Sequence, residues 1–237
     1  MTENRKLYAL TVVAVAAMLV TAGMIFLYAP EDAVQGPVQR IFYLHVGSAM
    51  AAFCCFAVVL GGGVAYLWKD SLRGDRLARA AALVGLVFTT NTFVMGMIWA
   101  KPVWGWDPSQ TWDARLTSTA MLWVIYAGYL MVRRFATAGR QAMRLAAVVG
   151  VVGFVDVPIV YGSVQWWRTL HPGPVLVTTG GPQLPPEMLL TALVTTVAVL
   201  FLAGVLLAVR YRIEVRRDEE EARVVAAQLE LSRTGAP

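Results

Sequence analysis

Trp104-Gly105-Trp106-Asp107-Pro108-Ser109-Gln110-Thr111-Trp112-Asp113-Ala114-Arg115-Leu116-Thr117-Ser118 is a short polar stretch set between two strongly apolar runs. Its charges are costly in hydrocarbon, so it does not itself cross a bilayer. Tryptophan favours places where an apolar body meets a wet edge. The stretch therefore reads as an aromatic shelf at a membrane surface, and the runs on either side as membrane spans.

The composition agrees. Of the 237 residues, 58% are hydrophobic and 15% charged, with a mean hydropathy of +0.60. A soluble domain carries roughly 25% charged residues, so the chain reads as an all-α, polytopic membrane protein. Working outward, the apolar runs are Leu7 to Ala29, Ile41 to Trp68, Ala80 to Ala100, Leu116 to Val132, Leu145 to Gly162 and Glu187 to Val209. Each is near the roughly 20 residues that a spanning helix needs, and the first is longer than the roughly 7–15-residue core of a signal peptide. Gly61-Gly62-Gly63 is a weak spot in the second run, tolerated if neighbouring helices pack against the small residues. The expected organisation is a six-helix transmembrane domain over 1–209 and a charged cytoplasmic tail over 210–237. The tail has a partial apolar stripe, Val215, Ala222, Val225 and Leu229, that suits either a solvated helix or a docking helix.

Six spans place both termini on one side. Sixteen of the 20 lysines and arginines fall on that side, and only Arg40, Lys101, Arg115 and Arg168 on the other. By the positive-inside rule the termini are expected in the cytoplasm of a bacterium, and the tryptophan-rich loop in the periplasm, at the inner membrane. The net charge of +5 thus follows topology and gives no reason to expect a nucleic-acid partner. Cys54 and Cys55 are adjacent within a span and read as packing residues.

Chemistry concentrates at the outer side. Both histidines of the chain, His45 and His171, fall there. Each alone suits a hydrogen-bonded interface residue. Together, at one depth, they suit the two axial positions of a haem iron. Trp99, Trp104, Trp106, Trp112, Trp166 and Trp167 lie on the same side, against Trp68 on the other. An interfacial belt would be more even, and flat indoles suit a planar macrocycle. Arg40, Arg115 and Arg168 flank these pieces, as contacts for lipid headgroups or for propionates. Asp107 and Asp113 are candidate acceptors that orient indole N–H groups or a ligand histidine. Asp156, within the fifth run, is either functional or a local response to Pro158.

Other motifs are missing from the sequence. Without a Walker motif the chain is not expected to hydrolyse nucleotides, and without GxSxG or HExxH no hydrolase is indicated. A zinc site has no need of a tryptophan shelf. A membrane b-type cytochrome for electron transfer would carry histidines at mid-depth. A cofactor-free small-molecule permease would line a path with polar residues, and beyond Asn91, Asp156 and scattered threonines there are few.

Trp104-Gly105 with Trp112-Asp113-Ala114-Arg115-Leu116-Thr117-Ser118 resembles the tryptophan-rich WWD signature of cytochrome c maturation. Arg40-Ile41-Phe42-Tyr43-Leu44-His45-Val46 and Trp166-Trp167-Arg168-Thr169-Leu170-His171 narrow the resemblance to the CcmC family, over nearly the whole chain up to Arg210. It implies a haem-handling protein, not an enzyme, that binds haem b at the periplasmic surface. His45 and His171 match the axial ligands, and Trp104, Trp106, Trp112 and Asp113 fall in the haem-presenting loop. The implied partners are the haem chaperone CcmE, the ABC transporter subunits CcmA and CcmB, and the small subunit CcmD. Two departures stand out. Asp107-Pro108-Ser109-Gln110 separates Trp106 from Trp112 where the family spaces its tryptophans more closely, and Asp156 stands where an amide-like residue is usual.

Overall fold

An apolar chain in a bilayer must satisfy its backbone internally, and every long element here is a helix. The structure is a computed structural model that describes residues 2–105, 112–136, 139–167, 169–173, 175–176, 180–181 and 183–234, with no strand among them. The helices are α1 (Thr2–Gly23, continued by a wider turn over Met24–Tyr28), α2 (Ile41–Lys69), α3 (Leu72–Trp104), α4 (Ala114–Phe135), α5 (Arg140–Gly153), α6 (Asp156–Trp166) and α7 (Pro186–Thr234). Five segments are long and apolar enough to cross a membrane: α1, α2, α3, α5 with α6, and α7. The 22-residue α4 completes the six.

The connections are shorter than hydropathy implies. The basic segment between the second and third apolar runs, Lys69 to Arg79, is mostly the first turns of α3. Asp70 takes the left-handed conformation at φ 47°, and the Ser71 hydroxyl caps α3 by accepting from the Gly74 N–H at 3.2 Å. Two residues thus suffice for the turn, and the charged residues ride on a helix that outruns the lipid. The sixth run behaves likewise: α7 continues without a break through Arg210 into the tail. The fifth run is divided at Phe154–Val155. Pro158 lacks the N–H that would bond the Phe154 carbonyl, and its ring would crowd that group. The chain starts a new helix at Asp156 instead, leaving Pro158 in a first turn where proline is tolerated.

The core is built on α2. Its buried residues, including Ser48, Ala51, Cys55, Val59, Gly62 and Tyr66, recur at helical spacing. Phe56 stacks on Tyr126 of α4 with ring centres 3.7 Å apart. Small residues let α2 and α3 approach closely. A Cβ on Gly62 would lie 2.5 Å from the Gly74 carbonyl oxygen, and one on Gly85 would lie 2.7 Å from the Phe56 ring.

At the end of the bundle that carries Asp70, charged groups join α3, α4 and α7. The Asp75 carboxylate accepts from Arg133 at 3.0 Å and pairs with Arg79 at 3.5 Å. Arg79 also meets Glu214 at 3.3 Å and Asp218 at 2.7 Å. Asp75 and Glu214 are buried, and pairing makes this tolerable because an uncompensated buried charge costs several kcal/mol.

The α2–α3 contact is testable. Gly62→Ala forces a methyl against a carbonyl and should cost about 1–3 kcal/mol, whereas Gly61 has nothing within 4 Å. Thermal unfolding in detergent should therefore show a lower midpoint for Gly62→Ala and none of that loss for Gly61→Ala.

Candidate functional site

At the opposite end, α2 starts after a short 3-10 turn, Pro37–Arg40, which places His45 about one helical turn in. His171 comes from the segment between α6 and α7. The two ring centres lie 6.2 Å apart, with planes 33° from parallel. These two histidines, 126 positions apart in the chain, are brought together as the sequence suggests.

Their bonding differs. His45 rests on α3 at Gly96: a Cβ there would lie 3.2 Å from Cε1 and 3.7 Å from Nδ1. That buried Nδ1 has no hydrogen-bond partner of good geometry among the described residues. His171 Nδ1 lies 2.8 Å from the Pro172 carbonyl oxygen. A carbonyl only accepts, so the contact requires the proton on Nδ1 and leaves the Nε2 lone pair of the neutral ring free. Burial, then the positive charge of Arg115, holds the His171 pKa below the ordinary imidazole value, against smaller opposing effects of Pro172 and Asp113. The ring is therefore neutral at neutral pH, the form that ligates metals.

Asp113 is the N-cap of α4. One carboxylate oxygen accepts from the Leu116 N–H at 3.0 Å, and the other from the Leu170 N–H at 3.1 Å. It orients backbone beside His171. Arg115, in the first turn of the same helix, donates through Nη1 to the Val160 carbonyl at 2.8 Å. Arg40 pairs with Glu31 at 3.3 Å, with its guanidinium 5.8 Å from the centre of the Phe26 ring.

Trp104 is the last residue of α3, which Gly105 terminates at φ 76°. It meets Trp99 edge-on at 4.8 Å, and the Trp99 Nε1–H donates to Gln35 at 2.8 Å. Trp112 is 54% exposed, as are Trp166 and Trp167 at 60% and 52%. For residues this apolar, such exposure marks a face that meets lipid or another molecule. Trp106 and Arg168 lie outside the described residues, as do Asp107 to Thr111 between Trp106 and Trp112.

Asn91 and the threonines beside it in α3 spend their polar groups within the bundle. Asn91 donates to Ser48 at 2.7 Å. Thr89, Thr90 and Thr92 each donate to the carbonyl four residues back in their own helix.

From sequence, Trp99 stands among the outer tryptophans, but neither Gly96 nor Gln35 is singled out as a site residue. For Gly96 a signal exists, because a glycine inside an apolar helical run usually marks a close contact. For Gln35, in a connecting segment, none does.

The fold and site define a polytopic helical membrane protein that gathers two histidines and several tryptophans at one end. Residues 1–226 match the family described as Heme exporter protein C, CcmC. The chain is 34% identical over 209 residues to the Heme exporter protein C of Bradyrhizobium diazoefficiens, covering 86% of this chain and 78% of that protein. It is 37% identical over 166 residues to that of Escherichia coli K12, covering 68% of this chain and 66% of the relative. A mitochondrial protein of Marchantia polymorpha, named as ccmC-like and for cytochrome c biosynthesis, is 32% identical over 179 residues. The chain belongs to the CcmC family, one of cytochrome c maturation.

Gly96 gives a direct test of how His45 is held. Helix propensity alone favours alanine over glycine by about 1 kcal/mol. If the methyl crowds the imidazole, Gly96→Ala should gain none of this in an unfolding measurement. The His45 ring resonances in histidine-labelled protein should also move.

Proposed function

We propose that the chain holds haem b as cargo between His45 and His171, at the periplasmic face of a bacterial inner membrane, and hands it to the haem chaperone CcmE. In this reading it works in an export complex with the ABC transporter subunits CcmA and CcmB and the small subunit CcmD. Its role is transfer and not catalysis of a bond-making step. The orientation rests on the excess of lysine and arginine at the end that carries the termini.

The observation that carries the reading is the spacing of the two imidazoles. A histidine nitrogen binds a metal at about 2.0–2.1 Å, and the ring centre lies roughly 1.1 Å behind the donor atom. Two rings on opposite faces of one iron then stand about 6.2–6.4 Å apart by the same bond lengths. The His45 and His171 centres are 6.2 Å apart. The chemistry of the pair fits too: the buried Nδ1 of His45 has no partner of good geometry among the described residues, and the Nδ1–H contact of His171 makes its Nε2 the lone-pair nitrogen. Membership of a family described as Heme exporter protein C supports the same cargo.

The remaining residues have roles in keeping with their chemistry. Trp104, Trp106 and Trp112 offer indole faces to the macrocycle. Arg40, Arg115 and Arg168 hold the propionates, a task suited to the guanidinium fork. Asp113 keeps the histidine segment in register. The bound haem supplies its own redox and ligand chemistry, and the protein supplies binding and orientation. The ring edge away from the membrane stays open to the acceptor.

The visible spectrum of purified protein, co-expressed with the chaperone, tests this. Wild type should carry a low-spin, bis-imidazole haem b spectrum. His45→Ala and His171→Ala should each lose the low-spin bands and the transfer of haem to CcmE. A wild-type protein without haem under haem-replete conditions, or two variants with unaltered spectra, would sink the ligand assignment.

A further inference from the structure

Asp113 belongs to the tryptophan-rich segment, yet both of its oxygens are committed to backbone N–H groups. One caps α4 at Leu116. The other accepts from Leu170, 57 residues on and immediately before His171. The carboxylate thus joins two segments that no helix connects directly. A second tie runs parallel to it. Arg115, two residues along, donates to the Val160 carbonyl at 2.8 Å and to that of Tyr161 at 3.4 Å, in the helix that leads into the His171 segment. The first turn of α4 therefore grips the chain both before and beside His171. On the other histidine no such tie is needed, because His45 is part of α2 and backed by α3 at Gly96.

We propose that Asp113 is a positioning residue: by holding the Leu170 N–H it sets where the His171 imidazole stands, without itself touching haem. The inference rests on the paired-histidine reading above. Only an acidic side chain does both tasks here. Asparagine caps a helix as well as aspartate, but it has one carbonyl oxygen for two N–H groups, and its NH2 would face a donor. Serine keeps a capping oxygen and cannot span to Leu170. Outer residues of this kind typically change metal affinity by roughly 10–100-fold when removed.

The test compares wild type, Asp113→Asn, Asp113→Ser and His171→Ala as full-length protein in detergent. Without haem, amide hydrogen exchange of the peptide containing Leu170 should speed up in both Asp113 variants, while a peptide from the middle of α2 exchanges as in wild type. With haem, both variants should shift from low spin towards the His171→Ala spectrum and retain haem roughly 10–100-fold less tightly. Added imidazole should restore the low-spin bands. If Asp113→Ser does not fold, Asp113→Asn carries the comparison, since its cap is preserved. Wild-type exchange at Leu170 together with a wild-type spectrum in the Asp113 variants would overturn the proposal. A His171→Ala spectrum identical to wild type would instead strike the histidine assignment, and the exchange result would still report on the Asp113 contact.

Discussion

The close approach of α2 and α3 is the constraint on which the rest of the bundle depends. Three glycines of α3, Gly74, Gly85 and Gly96, stand 11 positions apart, which is three helical turns to within about 20°. They therefore share one face. Along that face they meet Gly62, Phe56 and His45 of α2 in turn. In a bilayer no hydrophobic force draws apolar helices together, so contact at short range has to do so. The same contact that closes the hairpin at Gly62 and Gly74 sets the depth of His45 at its open end.

The two ends of the bundle spend their charges differently. Around Arg79, buried acids and arginines from three helices are paired with one another, an arrangement that locks helix ends and leaves little free for a ligand. At the histidine end, charges reach backbone: Asp113 takes two N–H groups, and Arg115 takes two carbonyls midway along α6. Helix ends have orphan donors and acceptors by construction. Here Asp113 caps its own helix, and its second oxygen with Arg115 ties that helix to backbone of other segments.

Hydropathy made the six spans legible, because lipid selects for apolar length and little else. It misjudged their ends, since charged turns of α3 and α7 continue the helices past the lipid. The division of the fifth span was half visible: Pro158 announces a fault, but only the lost bond to Phe154 shows where it falls. The two histidines and the tryptophans stood out because such residues are scarce elsewhere in the chain. Gly96 was on the page as the third of an evenly spaced series. The bond from Leu170 to Asp113 was not, because a backbone N–H has no letter in the sequence and its partner lies 57 positions away.

A site that hands over its cargo needs unequal grips, and the two histidines are held unequally. His45 sits within a helix, backed by a second helix, so moving it means distorting α2 against α3. His171 sits on irregular chain, held by its own Pro172 carbonyl and, through Leu170, by one carboxylate oxygen. Segments with few backbone bonds open at a small fraction of the global unfolding cost. In the proposed handover the His171 side is then the one that yields, while His45 keeps the cargo oriented. The tie at Asp113 lies in the same segment as the exposed tryptophan Trp112. In the proposed handover, an acceptor that docked on that shelf and displaced it would pull on the contact that steadies His171, and docking and loosening would become one event.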